Sequence, residues 1–190
     1  MTIKWNEKRV ARLLKEGRGE GVGAAYLPWI RAREARSHGH SYRVLSKKTG
    51  RVHQLLSAQE YAFFLRAEWS KNVLDIREQF PLNRTLTQTL AWKMKVAHPR
   101  YPETLTYAVM STDFLLTVAN GPQQLELAVD VKTVEDVESL RTLEKLQIHR
   151  SYFKEVGIKH QLILSSRLAR NVTVNLNWLM MLTCPVSPRH

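Results

Sequence analysis

The sequence predicts an α/β fold in which a mixed sheet is flanked by helices and preceded by a basic N-terminal extension. Segments with helical spacing of apolar residues and segments with strand-like alternation follow the order helix, strand, strand, strand, helix, strand. Two of the strand segments flank a tight-turn sequence. Basic residues are concentrated at the N-terminus, where residues 1–53 hold 13 basic and 4 acidic side chains and so carry +9 of the net charge of +12.

Length and composition limit the possible classes of protein. A chain of 190 residues suits one ordinary domain with its own core. We divide it into a basic helix and arm (1–53), a core (54–170) and a short C-terminal tail (171–190). The single cysteine, Cys184, excludes an internal disulfide and a cysteine-based zinc site. No apolar run approaches the ~20 residues of a membrane span and no signal peptide is evident, so we expect a soluble, cytoplasmic protein.

The N-terminal extension is predicted to be a helix followed by an arm. Asn6 is suited to cap a basic helix that ends at Gly17. The stretch that follows has weak periodicity, so we expect an extended arm with a turn at "KKTG". Its charge favours contact with nucleic-acid phosphates, and a solvated arm or one docked on an acidic protein is the alternative. The candidate DNA-backbone contacts are Arg31, Arg33, Arg36, Arg43, Lys47, Lys48 and Arg51.

Helices and strands of the core are predicted on both sides of a central hairpin. The segment "LLSAQEYAFFLRAEWSKN" has helical spacing with Ser57 as N-cap, so a helix is expected over about residues 58–71. "VLDIREQF" alternates as a strand that stops at Pro81, and residues 83–108 are expected to be mostly loop. After the hairpin, "EDVESLRTLEKLQIHRSYFKEVG" is expected to form one long helix closed by Gly157, before the strand "IKHQLILSS".

The hairpin is predicted around "NGPQ". If its turn centres between Gly121 and Pro122, opposite residues have numbers that sum to 243, and Asp113 then faces Asp130. Strand alternation places Asp130 and Lys132 on one side of the second strand, and Val129 and Val131 on the other. A slip of one residue in this register would separate the two aspartates.

Two aspartates that face each other across a ladder need charge compensation. Cross-strand neighbours lie about 5 Å apart, and at an effective dielectric near 20 their repulsion is roughly 3 kcal/mol. A shared proton, a basic neighbour such as Lys132 or a divalent cation can remove it. Mg²⁺ prefers carboxylate oxygens, water and substrate phosphate, so a cation would create a site for phosphodiester hydrolysis. Lys132 would then orient or deprotonate a water and balance charge on the phosphate.

Simpler interpretations of these residues stay open. In one, Asp113 only begins its strand, and Asp130 and Lys132 form an exposed ion pair worth under ~1 kcal/mol. Glu60 completes a capping box, "SAQE", that accounts for it without a metal. The histidines of "SHGH" and His53 lack nearby cysteine or acidic ligands, so contacts with phosphate or backbone are favoured over metal binding.

The whole constellation resembles a known group of nucleases. A helix bearing Glu60, then a strand, then a hairpin bearing Asp113 and the Asp130-x-Lys132 pair, then helix and strand, resembles the restriction-endonuclease-like PD-(D/E)xK core. Within that superfamily the motifs "YLPWI", "KTGRVHQLLSAQEYAFF", "DIREQFPL", "HPRY", "STDFLL", "VKT" and "LEKLQIHRSYF" are similar to those of the TnsA family. Members of that family are the endonuclease subunits of heteromeric cut-and-paste transposases.

The resemblance implies a restriction-endonuclease-like fold and a metal-dependent DNA endonuclease. Carried over by position, it implies that Glu60, Asp113 and Asp130 bind Mg²⁺ or Mn²⁺, with the Val131 carbonyl as a further ligand. Lys132 would be the catalytic lysine. The implied reaction is hydrolysis at the 5′ ends of the transposon during DNA transposition.

The resemblance also implies partners and marks two departures. The expected partners are double-stranded DNA at the transposon ends, a TnsB-type DDE transposase that cuts and joins the 3′ ends, and a TnsC-type AAA+ regulator, all at the bacterial nucleoid. A family member has glutamine in place of Asp130, and glutamate is expected in place of His149. Two alternatives are a non-catalytic DNA-binding assembly subunit with a nuclease fold and a solitary repair or restriction nuclease.

Overall fold

The computed structural model describes residues 5–34, 41–102 and 104–183. The helices are α1 (Glu7–Lys15), α2 (Ala58–Trp69), α3 (Arg84–Lys93), α4 (Val134–Glu138), α5 (Leu140–Glu155) and α6 (Arg170–Thr183). The strands are β1 (Tyr42–Leu45), β2 (Val52–Leu55), β3 (Val73–Pro81), β4 (Ser111–Asn120), β5 (Gln123–Lys132) and β6 (Lys159–Leu164). Within these ranges, no helix is both long enough and apolar enough to cross a membrane.

The central sheet has four strands in the order β3-β4-β5-β6. The first two pairs are antiparallel and β6 runs parallel to β5, so the sheet is mixed. With helices on both faces, this architecture confirms the predicted α/β class and is consistent with a restriction-endonuclease-like fold. The β4–β5 pairs run from Asn120↔Gln123 to Phe114↔Val129, which confirms the predicted register.

Each face of the sheet packs on its own helices, as the alternation along β5 predicts. On one face, Val129 and Val131 pack with Phe64 of α2 and Met180 of α6. On the other face, Ala128 packs in a second buried cluster. Its partners on the flanking helices are Leu90 and Ala91 of α3 and Ile148, Tyr152 and Phe153 of α5. Adjacent residues of one strand therefore serve two different cores.

Three helix boundaries agree with their predicted caps. The Asn6 side chain accepts a hydrogen bond from the backbone of Arg9, and α2 begins directly after Ser57. Gly157 follows α5 with a φ of 74°, a left-handed conformation that glycine adopts without strain.

Two predictions of secondary structure are wrong. The segment expected to be mostly loop contains α3, whose N-terminus is capped by Asn83 accepting from the backbone of Leu86. The single long helix after the hairpin is instead two helices, because Ser139 adopts an extended conformation with ψ of 120°. The first of them, α4, starts from a capping box between Thr133 and Asp136.

The N-terminal segment is folded onto the sheet, which differs from the extended arm expected. It contains the β1–β2 hairpin, in which Tyr42 pairs with Leu55. Tyr26 and Trp29 are fully buried, and the Tyr26 hydroxyl donates to the backbone carbonyl of Glu78 in β3 at 3.1 Å. The C-terminal segment is also structured, since α6 packs against α2. Burial of large aromatic side chains explains why this basic segment is held in place.

Arg51 provides the strongest attachment between the N-terminal segment and the sheet. Its guanidinium donates to both carboxylate oxygens of Glu78, at 2.8 and 2.5 Å, and to the carbonyl of Ile76 at 2.8 Å. Burial alone would raise the pKa of Glu78, but the bonds from Arg51 and His53 outweigh it and lower that pKa to about 2. Because its donors are used inside the protein, Arg51 has a structural role here rather than the DNA contact expected from the sequence.

This role predicts a loss of stability when Arg51 is removed. Arg51→Ala leaves the Glu78 carboxylate buried without its main partner, which should lower the free energy of unfolding by about 3–5 kcal/mol. Urea denaturation at neutral pH measures this change. The control is Arg43→Ala, an exposed side chain on β1, which should change stability by less than about 0.5 kcal/mol. Equal, small effects of both substitutions would contradict the structural role.

Candidate active site

The carboxylates of Asp113 and Asp130 replace backbone acceptors where the β4–β5 ladder ends. The backbone N–H of Asp113 donates to Asp130 Oδ1 at 3.2 Å, and the N–H of Val131 donates to Asp113 Oδ2 at 2.8 Å. Thr112 adds a hydroxyl bond of 3.1 Å to Asp130 Oδ1. The two aspartates are therefore adjacent, as the register predicts, and each one binds the strand of the other.

Glu60 lies at the N-terminus of α2, where it is both a capping residue and a buried acid. Its Oε1 accepts from the Ser57 hydroxyl at 3.1 Å, and the Ser57 oxygen accepts from the Glu60 N–H at 3.1 Å. Its Oε2 accepts from the Leu56 N–H at 2.9 Å and from Gln79 Nε2 at 3.3 Å. The predicted cap by Ser57 is therefore confirmed, but the Glu60 carboxylate accepts from the N–H of Leu56 and not from that of Ser57, as a full capping box requires. The Glu60 side chain is 7% exposed.

A single cavity of about 440 Å³ brings the predicted site residues together. Glu60, Asp113, Asp130, Val131 and Lys132 all line it. Helices α4 and α5 complete its wall with Asp136, Thr142, Lys145, Leu146 and His149. The three predicted acidic residues and Lys132, which come from α2, β4 and β5, thus share one solvent-accessible space, an arrangement compatible with phosphodiester chemistry.

Lys132 is the cation closest to the aspartate pair. Its Nζ donates to Asp113 Oδ2 at 2.8 Å and to the Val131 carbonyl at 3.2 Å. Burial would lower the pKa of Lys132, but the charges of Asp113 and Asp130 outweigh this and raise it above its ordinary value. The side chain is therefore an ammonium at neutral pH. Of the two roles expected for it, this favours orienting a water and balancing charge over removing a proton.

Asp130 is fully hydrogen-bonded within the protein. In addition to the two bonds at Oδ1, its Oδ2 is 2.7 Å from His149 Nδ1 and 2.8 Å from His160 Nε2. Burial opposes the charge on this carboxylate, but His149, His160 and Lys132 outweigh it and hold the pKa of Asp130 well below its usual range. In the described ranges, the group of metal-ligand side chains whose atoms lie within 4.8 Å of one another is this Asp–His–His cluster. It is not the set of three carboxylates expected from the sequence.

The other two carboxyls of the predicted site, those of Glu60 and Asp113, resist ionisation. Burial, together with the charge of Asp113, raises the pKa of Glu60 from 4.5 to about 7. Burial also raises the pKa of Asp113, with Asp130 adding to the shift and Lys132 opposing it. A cation placed between Glu60 and Asp113 would relieve this strain, because it favours the charged form of both.

The candidate DNA contacts occupy two other regions. Arg31, Arg33 and Arg43 line a second cavity of about 380 Å³, which Arg51 also borders. Lys47 and Lys48 lie at the turn between β1 and β2, beside a third cavity lined by Glu68, Trp69 and Met180. Arg36 and the histidines of "SHGH" lie outside the described residues.

His53 corrects one expectation about the histidines. It is fully buried, with Nε2 at 2.8 Å from the Thr49 hydroxyl and Nδ1 at 2.8 Å from Glu78 Oε2. For His53 we expected a contact with phosphate or with backbone; its ring nitrogens instead lie against the side chains of Thr49 and Glu78, in the interior of the protein. His149, at the position where the resemblance leads us to expect glutamate, lies 2.7 Å from the carboxylate of Asp130.

Three residues near the site have no clear signal in the sequence. Lys145 lines the cavity from α5. His160 reaches Asp130 from β6, and this depends on the parallel register of β5 and β6. Gln79 supports Glu60 and has a φ of 49°, an uncommon conformation for a residue with a side chain. Local strain of this kind costs of order 1–3 kcal/mol and concentrates at functional sites.

Comparison with known proteins places these features in a family. The family model described as "TnsA-like endonuclease N terminal" matches residues 70–165. The chain is also 42% identical over 175 residues to the transposon Tn7 transposition protein TnsA of Escherichia coli. That alignment covers 92% of this chain and 63% of the relative, so the chain spans less than two thirds of the relative's length.

The raised pKa of Glu60 predicts a pH-dependent stability in the absence of metal. A carboxyl with a higher pKa in the folded state stabilises the fold below pH 4.5, and this contribution is lost as the pH rises to about 7. Between pH 5 and 8, wild type should therefore lose roughly 2 kcal/mol more stability than Glu60→Gln.

Urea denaturation in a chelating buffer at both pH values tests this expectation. Glu138→Gln, an exposed residue of α4, is the matched control and should follow the wild type. A constant difference between wild type and Glu60→Gln at the two pH values would show that Glu60 does not titrate in this range.

Proposed function

This chain belongs to the family of TnsA-like endonucleases, and from that premise we propose that it is a metal-dependent DNA endonuclease subunit of a transposase. Its reaction would be hydrolysis of the phosphodiester bond at the 5′ ends of the transposon during cut-and-paste transposition. The observation that carries the proposal is the shared cavity, in which Glu60, Asp113 and Asp130 lie with Lys132.

The donor set at this cavity suits a hard divalent cation. Glu60 and Asp113 offer carboxylate oxygens, and Val131 offers a carbonyl oxygen that also accepts a hydrogen bond from Lys132 Nζ. Oxygen ligands of this kind suit Mg²⁺ or Mn²⁺. Asp130 is proposed as the third acidic ligand, which requires it to exchange one of its protein donors. The chemistry supplied by the cation, when bound, is polarisation of the scissile phosphate and stabilisation of the leaving oxygen.

The residues of the chain itself supply orientation and charge. Lys132 keeps an ammonium beside the carboxylates, so it can donate to a phosphate oxygen or to the attacking water. The Asp113 carboxylate fixes the position of that ammonium, and the backbone N–H of Val131 fixes the Asp113 carboxylate in turn. Preorganised charge of this kind needs no reorganisation when negative charge develops on the phosphate.

Lys145 is proposed as a second phosphate contact. It lies on α5 one helical turn before His149, so both side chains share the helix face that lines the cavity. Partial burial, with the charges of Arg141 and Lys132, lowers its pKa. An anion that binds nearby stabilises the charged form of a lysine that lies close to other cations, and the phosphates of bound DNA are such anions.

The basic N-terminal segment is proposed to hold the duplex. Arg31, Arg33 and Arg43 lie together at the second cavity, and Lys47 is exposed at the nearby turn. Contacts of this kind position DNA without reading its sequence. Lys48, which donates to the Ser70 carbonyl at 3.1 Å, and Arg36 complete the proposed set. Arg51 is left out of it because Glu78 occupies its guanidinium.

The proposed partners follow from the relative's part in Tn7 transposition. We propose that the chain acts with a TnsB-type DDE transposase that processes the 3′ ends, and with a TnsC-type AAA+ regulator. The compartment proposed is the bacterial cytoplasm, at the nucleoid, where the DNA lies.

One observation favours a second candidate, a DNA-binding assembly subunit without catalysis. Four hydrogen bonds to Asp130 and the Lys132–Asp113 pair give these three side chains partners within the protein. Such a subunit would keep its affinity for DNA but would not cut it. The nicking experiment described next separates the two candidates.

Removal of Asp113 or Lys132 should abolish cutting. Asp113→Ala deletes a proposed cation ligand and Lys132→Ala deletes the ammonium, so each should lower the rate of 5′-strand nicking by at least about 100-fold. The assay uses transposon-end DNA, Mg²⁺ and the partner transposase. Lys154→Ala, an exposed lysine on α5, is the control and should cut like wild type. Unchanged cutting in both site variants would refute the nuclease assignment, and cutting without the transposase would indicate a solitary nuclease.

Removal of Lys145 should weaken DNA binding more than folding. Lys145→Ala is expected to reduce affinity for transposon-end DNA several-fold and to reduce the slope of log K against log salt by about 1, since one phosphate contact is lost. Fluorescence anisotropy with Ca²⁺ in place of Mg²⁺, at several salt concentrations, measures both. Lys154→Ala is again the matched lysine control. A salt slope equal to that of wild type would remove Lys145 from the interface.

A further inference from the structure

We propose that Asp130, His149 and His160 form a second cation site that takes a first-row transition metal such as Zn²⁺. The proposal goes beyond the nuclease function and does not depend on it. One carboxylate oxygen and two imidazole nitrogens converge here, with Oδ2 of Asp130 lying 2.7 Å from His149 Nδ1 and 2.8 Å from His160 Nε2.

The three side chains come from three different elements. Asp130 lies on β5, His149 on α5 and His160 at the start of β6. The rings of the two histidines are 6.3 Å apart and nearly perpendicular, so they approach the carboxylate from different directions. Such an approach from distinct directions is what a tetrahedral or octahedral ion requires.

The distances between the three candidate ligand atoms are close to those around a bound metal ion. Zn²⁺ binds nitrogen and oxygen at about 2.0–2.2 Å, so two ligand atoms around a tetrahedral ion lie roughly 3.3 Å apart. The present separations of 2.7 and 2.8 Å would therefore need to open by about half an ångström, a change that side-chain rotation provides. Asp130 and His149 both border the 440 Å³ cavity, which gives an ion a route to the site and room for a water ligand.

The donor atoms distinguish this site from the proposed catalytic one. Glu60, Asp113 and the Val131 carbonyl offer oxygen alone and so suit Mg²⁺. Two imidazoles with one carboxylate favour Zn²⁺ and its first-row neighbours, because imidazole is a poor ligand for Mg²⁺. The chain would therefore bind two classes of cation at two adjacent sites that share Asp130 as a ligand.

An ion at this site would have a clear structural effect. It would join α5 and β6 to β5 at the strand position next to Val131, the carbonyl of which is a proposed ligand on the catalytic side. It would also replace the two imidazole contacts as the partner of Oδ2, leaving the Oδ1 bonds to Thr112 and Asp113 in place. Occupancy should therefore stabilise the fold without displacing the Lys132–Asp113 pair.

Cobalt is a suitable spectroscopic probe for this site. Co²⁺ bound by nitrogen and oxygen gives visible d–d bands, so titration of the full chain with Co²⁺ should produce them with one equivalent, and Zn²⁺ should abolish them by displacement. A large excess of Mg²⁺ should not. The double variant His149→Asn, His160→Gln should lose the bands. Asn and Gln carry an amide N–H where Nδ1 and Nε2 now lie, so each can keep its bond to Asp130.

Two controls address three of the other histidines, namely His38, His40 and His98. His98→Gln changes a histidine of the loop after α3, which bonds to Thr87 and Pro99, and should leave the bands intact. The double variant His38→Gln, His40→Gln should leave them intact as well. Bands that survive in the His149, His160 double variant, or that are lost in either control, would overturn the assignment.

Diffraction provides a test that needs no variant. An anomalous map from wild-type crystals soaked in Zn²⁺ should show a peak bounded by Asp130, His149 and His160. A map with its peak elsewhere, or with no peak at these residues, would count against the site even if the double variant failed to fold. Neither experiment involves DNA cleavage, so its failure would leave the proposed nuclease function untouched, and loss of nicking in Asp113→Ala would not bear on it.

Discussion

The bonds that the carboxylates of Asp113 and Asp130 each accept from the backbone of the other's strand are the constraint on which the rest of the site depends. Each carboxylate accepts the backbone N–H that a regular ladder would have paired with a carbonyl, so the strands stay joined while two acids are held side by side. Buried backbone donors require acceptors, and here the acceptors are the acids themselves. The cavity exists because the end of the β4–β5 ladder is built from side chains.

Three acidic side chains can lie close together in this site because each carboxyl is compensated in a different way. Asp113 has the ammonium of Lys132, Asp130 has two imidazoles, and Glu60 holds its proton up to about pH 7. The sequence suggested three forms of compensation for the aspartate pair, namely a proton, a lysine or a cation. Across the three acids, the structure uses a proton on Glu60, the lysine beside Asp113 and, in addition, two histidines beside Asp130, so the cation belongs to the proposed function alone.

Local signals in the sequence were sufficient for the hairpin but not for contacts between distant segments. The turn "NGPQ" fixes the register, and the register alone places Asp113 beside Asp130. His160 could not be assigned in this way, because its approach to Asp130 depends on a parallel pairing set by the crossover through α5. The sequence predicts Arg51 to be a surface cation because nothing local indicates its partner, Glu78, which lies 27 residues away along the chain. The break at Ser139 was missed because helical spacing continues on both sides of it.

Two adjacent residues of β3, Glu78 and Gln79, hold two different parts of the molecule against the sheet. Glu78 holds the N-terminal segment through Arg51, and Gln79, next along the strand, holds the carboxylate of Glu60. The N-terminal surface that is proposed to bind the duplex and the proposed catalytic acid Glu60 are thus both held by β3, through two residues that are adjacent along the strand. If both proposals hold, the number of nucleotides between the bound duplex and the cut would be a property of the sheet, and the position of the nick would be set by rigid architecture instead of by a flexible tether.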